Sequence, residues 1–128
     1  MKLHSQASAV ATLLACLLVP GLADAHAVLR KTEPAQRAQL SRPPSAVRLW
    51  FSEPLEAAFS SASVAGAAGN EITHEPARLS AQDARLLELN LPGLSPGQYT
   101  VRYQVLSVDG HTVKGSFTFR LKDGAAQK

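Results

Sequence analysis

The chain has 128 residues, a formal charge of +3, 45% apolar and 18% charged residues, one cysteine and one methionine. That composition fits a globular chain and excludes a disordered one. The small positive excess is scattered and forms no Lys/Arg cluster, which argues against a dedicated nucleic-acid surface.

Taken from the start, Lys2 supplies a positive head and Ala7 to Val19 an apolar stretch. Pro20-Gly21 breaks the helix, and Ala23-Asp24-Ala25 fits a small-x-small cleavage site, so residues 1–25 read as a secretory signal cut after Ala25. The competing reading is a short buried helix of the domain. Cleavage leaves residues 26–128 as one domain with one core, and makes His26 the first residue. Cys16 and Met1 leave with the signal, so the exported chain has no sulfur ligand and no disulfide. No lipobox cysteine sits at the cut, which points to release into the periplasm rather than lipid anchoring. No later apolar run is long enough to span a bilayer.

Turn signals then punctuate short runs of strand character. Ala46 to Ser52 alternates, with Val47, Leu49 and Phe51 on one face. Phe59 to Val64 and Glu71 to His74 are weaker strand candidates. Pro76 to Leu91 holds good helix formers, but Leu87, Leu89 and Leu91 alternate, so its end reads as strand and its start stays open. Tyr99 to Val108 alternates strongly, and Phe117, Phe119 and Leu121 mark the last strand. Many short strands with frequent turns predict an all-β antiparallel sandwich or small barrel. The few aromatic residues read as core.

Without sulfur, any metal must be held by nitrogen and oxygen. Cu(II) and Zn(II) accept imidazole and carboxylate, whereas Cu(I) prefers sulfur. An N-terminal His26 offers its α-amine and ring Nδ1 to one ion as a six-membered chelate, and only after the signal is cut. Asp109-Gly110-His111 adds a carboxylate and an imidazole, with Gly110 allowing the backbone to bend between them. Together these make a four-donor N₃O set of the kind Cu(II) favours. The same tripeptide is also a plain turn sequence, with His111 idle at the surface.

Three stretches carry a family resemblance. They are the start His26-Ala-Val-Leu29, the run Val47-Arg-Leu-Trp-Phe-Ser-Glu-Pro-Leu-Glu56, and Gly97-Gln-Tyr-Thr-Val-Arg-Tyr-Gln-Val-Leu-Ser-Val-Asp-Gly-His-Thr-Val-Lys-Gly-Ser-Phe-Thr-Phe119. They resemble the CopC family of periplasmic copper-resistance proteins over essentially all of residues 26–128. The resemblance implies a Greek-key β-sandwich, immunoglobulin-like or cupredoxin-like, that binds copper and is not an enzyme. It places the Cu(II) ligands on His26, Asp109 and His111, and sets Glu53 beside them as a hydrogen-bonding neighbour, against the plainer reading of a solvated loop carboxylate. It also implies an inner-membrane copper importer as a companion. Some members hold Cu(I) in a methionine-rich loop with a histidine. Here no methionine survives cleavage, so His74 reads as an exposed loop histidine and the chain as binding one Cu(II). The expected role is copper carriage or sequestration in copper homeostasis and resistance. A histidine-brace copper oxygenase and a metal-free immunoglobulin-like interaction domain are the rival readings.

Overall fold

Alternating side chains place one face of each strand against a common core, and two sheets result. A computed structural model describes residues 27–124. The strands are β1 (Leu29–Glu33), β2 (Gln39–Leu40), β3 (Ala46–Phe51), β4 (Ser61–Ala65), β5 (Arg78–Leu79), β6 (Leu86–Asn90), β7 (Gly97–Leu106) and β8 (Thr112–Leu121), with a short 3₁₀ turn at Ala57–Phe59. One sheet has the order β1-β3-β6-β5 and the other β2-β8-β7-β4. All pairings are antiparallel except β2 on β8, which is parallel. The predicted all-β sandwich is therefore the observed architecture. The expected signal, residues 1–25 with Cys16 and the expected cut, lies outside the described residues, and so does His26.

The core forms where the alternation predicts it. Val47, Leu49 and Phe51 of β3 and Leu87 and Leu89 of β6 meet Val101, Val105, Phe119 and Leu121 of the facing sheet, all buried. Each such side chain contributes about 1.5–3 kcal/mol when withdrawn from water. Tyr99 stacks on Phe119 at 5.4 Å and ties its hydroxyl to the Ser95 carbonyl at 2.5 Å. Pro76 to Leu91 forms no helix; β5 and β6 occupy it. Glu71 to His74 forms no strand, only an isolated bridge from Glu71 to Ala65. Two aromatic residues depart from the core reading. Trp50 lies on the outer face under the Lys31 ammonium at 4.7 Å, and Phe59 is exposed.

Charge is ordered on the outer face of the first sheet. Glu33, Arg48, Glu88 and Arg78 stand in one cross-strand row, alternating in sign over β1, β3, β6 and β5. Opposite charges directly across a ladder stabilise it modestly.

The hairpin β7–β8 is the longest element, paired from Gly97↔Leu121 to Leu106↔Thr112. Its register sets Tyr103 opposite Gly115. The Tyr103 ring packs edge-on to Phe51 at 5.6 Å and lies where a Cβ on Gly115 would be. Burial of this phenol raises its pKa. Gly115→Ala should therefore force the ring aside and destabilise the fold by about 1–3 kcal/mol, the usual cost of overpacking. A thermal melt of the variant checks this. An unchanged melting temperature would show that Tyr103 has room to move.

Candidate metal site at the β7–β8 loop

The hairpin closes through residues 107–111. Ser107 and His111 exchange a backbone bond, with the Ser107 N–H donating to the His111 carbonyl at 2.9 Å. The Gly110 N–H returns to the Ser107 carbonyl at 2.9 Å, and Gly110 takes φ +95°, a conformation that favours glycine. The tripeptide is thus a turn, as its composition suggests. The turn also brings its two chemical side chains together. Asp109 Oδ1 lies 3.2 Å from His111 Nδ1, and both side chains are partly exposed. Strand β7 ends at Leu106, two residues before the expected Val108, so Asp109 and His111 sit in a loop.

One residue escaped the sequence reading. Ser107 is fully buried, and its hydroxyl donates a hydrogen bond to Asp109 Oδ1 while accepting one from the His111 N–H at 3.3 Å. The His111 N–H also points at Asp109 Oδ1, at 3.4 Å. The Ser107 hydroxyl, then the His111 ring and amide, hold the Asp109 carboxyl below the usual carboxylate range. The carboxylate is exposed, so the stability this lends is small; it is present at neutral pH and is lost as pH falls through that lowered value. The signal available in the sequence was the Ser-x-Asp spacing, which lets a hydroxyl and a carboxylate meet across a tight turn.

The loop is sewn to the rest of this end of the sandwich. Val108 N–H donates to the Pro54 carbonyl at 3.0 Å, Leu55 bridges Ser107, and Glu56 N–H donates to the Leu106 carbonyl at 2.8 Å. Ser52 in turn holds the chain start: its N–H donates to the Val28 carbonyl and its hydroxyl accepts from the Val28 N–H, both at 2.8 Å. Ala27, the first described residue, is fully buried. Segment 52–56 therefore joins the beginning of the domain to the Asp109/His111 loop.

Glu53 lies within that segment, half-buried, without a hydrogen bond or ion pair to another described residue. His74 is exposed in the loop after β4 and lines a surface recess with Glu75, Asn90, Leu91 and Pro92. Asn90 pairs with Ala46, the end of β3 remote from Ser52. Five residues of strand separate the two ends, roughly 17 Å. His74 thus stands away from the loop. Among the described residues, no third His, Cys, Asp or Glu joins Asp109 and His111 in a metal-sized group.

Comparison with known proteins decides the family. The CopC domain profile matches residues 29–122. The chain belongs to the CopC family. It is 42% identical over 115 residues to Protein YobA of Escherichia coli K12, covering 89% of this chain and 92% of that one. It is 31% identical over 126 residues to copper resistance protein C of Pseudomonas syringae pv. tomato, covering 94% of this chain and 99% of that protein. The crystal structure of CopC from Methylosinus trichosporium OB3b superimposes with a TM-score of 0.72 at 34% identity, over 76% of this chain and 94% of that one. Membership of this family gives the CopC-like chain a copper-related function.

The buried hydroxyl at the turn yields a test. Ser107→Ala in this CopC-family chain should cost about 0.5–1.5 kcal/mol, because it removes the hydroxyl that accepts from the His111 N–H at a partly buried position. Denaturant melts of the metal-free protein measure it. A loss below the error of the melt would show that the loop holds its shape without the serine.

Proposed function

We propose that the protein carries or sequesters Cu(II) in the periplasm, one ion per chain, in an N₃O site made by the His26 α-amine and Nδ1, a ring nitrogen of His111 and a carboxylate oxygen of Asp109. The observation that carries this reading is the Asp109–His111 pair at the loop joined to the chain start through Ser52 and Pro54. Two donors bound to one ion at about 2.0–2.1 Å on neighbouring positions lie roughly 2.8–3.3 Å apart, and the 3.2 Å pair matches that spacing. The pair supplies one nitrogen and one anionic oxygen, so a stable site requires donors from outside the described residues. His26 is covalently next to Ala27, and consecutive Cα atoms lie about 3.8 Å apart. A cut after Ala25 frees its amine.

The oxidation state follows from the donors. A carboxylate and imidazoles with no sulfur favour Cu(II) over Cu(I), and the anionic oxygen offsets the extra charge of Cu(II). In this reading Glu53, half-buried between the chain start and the loop, acts as a hydrogen-bonding neighbour of the site's amine or imidazole. Export through the signal and delivery to an inner-membrane importer complete the reading. With four protein donors around the ion, little room is left for a reacting substrate, which favours a carrier over an oxygenase.

Stoichiometry tests it. Competition titrations of residues 26–128 with chelators for each oxidation state should give one tight Cu(II) equivalent and no tight Cu(I) site. A second tight equivalent, or Cu(I) held more firmly, would overturn the reading and bring His74 back into consideration.

A further inference from the structure

Three large apolar side chains stand exposed among the described residues: Val28 at 50%, Phe59 at 67% and Val108 at 59%. Single exposed apolar residues are ordinary; a group of them around one feature is informative. All three are tied to the segment 52–60. Val28 exchanges two hydrogen bonds with Ser52, and Val108 N–H donates to the Pro54 carbonyl. Phe59 closes the 3₁₀ turn that begins after Glu56, itself bonded to Leu106. Val108 directly precedes Asp109, and Val28 stands two residues after His26. Each exposed apolar group thus lies on or next to a segment bonded to residues 52–60 or to the β7–β8 loop, at the end of the sandwich that holds Asp109 and His111.

Area and charge narrow the occupant. The three side chains expose on the order of 250–300 Å² together, well short of the roughly 800 Å² that each side of a stable complex buries. Such a patch suits a transient encounter. Segments 52–60 and 107–111, with 83–85 bonded to Phe51 and Leu55, carry Glu53, Glu56, Asp83 and Asp109 against one cation, Arg85. A second copy docked end to end would set these carboxylates against their equivalents, and like charges brought together at an interface oppose association. We propose that this end is a docking surface for a copper-exchanging protein that presents basic residues around an apolar centre. The proposal rests on the Cu(II) reading above. Apolar contact there expels water from the loop while ligands change hands, and the carboxylates steer the partner.

Two synthetic acceptors test it. Both begin with the same amino-terminal histidine chelate for Cu(II) and are matched in affinity; one continues in Leu-Lys repeats, the other in Ser-Glu repeats. The Cu(II)-loaded protein should pass its ion to the Leu-Lys peptide at least about tenfold faster, within the range electrostatic steering provides. The variant Val28→Ser, Phe59→Ser, Val108→Ser should lose several-fold of that rate and keep its Cu(II) affinity. Equal rates to the two peptides, or a variant as fast as wild type, overturns the proposal. A copper-free arm stands apart from the metal reading. In NMR titration of the metal-free protein, the Leu-Lys peptide should shift resonances of Val28, residues 52–60 and residues 107–111. Shifts spread over the sheets, or none, overturn the docking surface. A concentration-dependent dimer in sedimentation would do the same by assigning the face to a second copy. Failure of the wild-type protein to take up Cu(II) would instead strike the proposed site, while the copper-free arm still decides the surface.

Discussion

Adding one residue in front of His26 should weaken Cu(II) binding by orders of magnitude and leave the metal-free melting temperature unchanged. The extension turns the proposed α-amine ligand into a peptide nitrogen and so removes the proposed chelate ring with Nδ1. An amine with a pKa near 7.7–8.0 gives up its proton to Cu(II) readily, whereas a peptide nitrogen does so at much greater cost. The fold has no stake in the addition. Ala27 remains buried, and Val28 keeps both bonds to Ser52. Those contacts fix residues 27 and 28 before any ion binds, so ordering them adds nothing to its cost. Competition titration and EPR on the two forms make the measurement. Equal affinity, with the same copper hyperfine pattern, would remove His26 from the site and leave Asp109 and His111 to find donors elsewhere.

How much of this was legible in the sequence follows from which strands are buried on one face. β3, β6, β7 and β8 pack a full inner face, so Val47/Leu49/Phe51, Leu87/Leu89, Tyr99/Val101/Val105 and Phe117/Phe119/Leu121 alternate visibly. β1 is an edge strand with a register shift between Leu29 and Lys31, and only Thr32 of its five residues is buried. A bulge breaks period-two patterning, so no alternation could announce it. β2 and β5 are two residues each, too short to show a period at all, and β2 pairs parallel with a strand far along the chain. Local sequence holds no record of such a partner. The loop was legible in a different sense. Asp109-Gly110-His111 was open to two readings, a turn or a ligand pair, and the structure shows a turn that brings the pair together. Ser107 was hidden because its role depends on full burial, which a lone serine at a strand end does not disclose.

His111→Ala and Asp109→Asn should each abolish most of the stability gained from copper while barely moving the metal-free melting point. Copper bound only to the native state stabilises it by mass action, so the wild-type melt should rise when Cu(II) is added. The two side chains are partly exposed, and the turn is built from backbone bonds that both variants retain: Ser107 to His111 and Gly110 to Ser107. Asparagine keeps an oxygen where Asp109 Oδ1 accepts from the Ser107 hydroxyl, and removes the charge of the proposed oxygen ligand. Substitutions at exposed positions usually stay within about 0.5 kcal/mol, so the metal-free forms serve as their own controls. His74→Ala, in the loop after β4, should change neither copper affinity nor stability. Acid should also release the ion from the wild type, as imidazoles and amine must be deprotonated to bind. Melts of each variant with and without Cu(II) separate the possibilities. A metal-free His111 or Asp109 variant that unfolds early would make these residues part of the scaffold. A variant that keeps the full copper-induced gain would place the ion away from this loop.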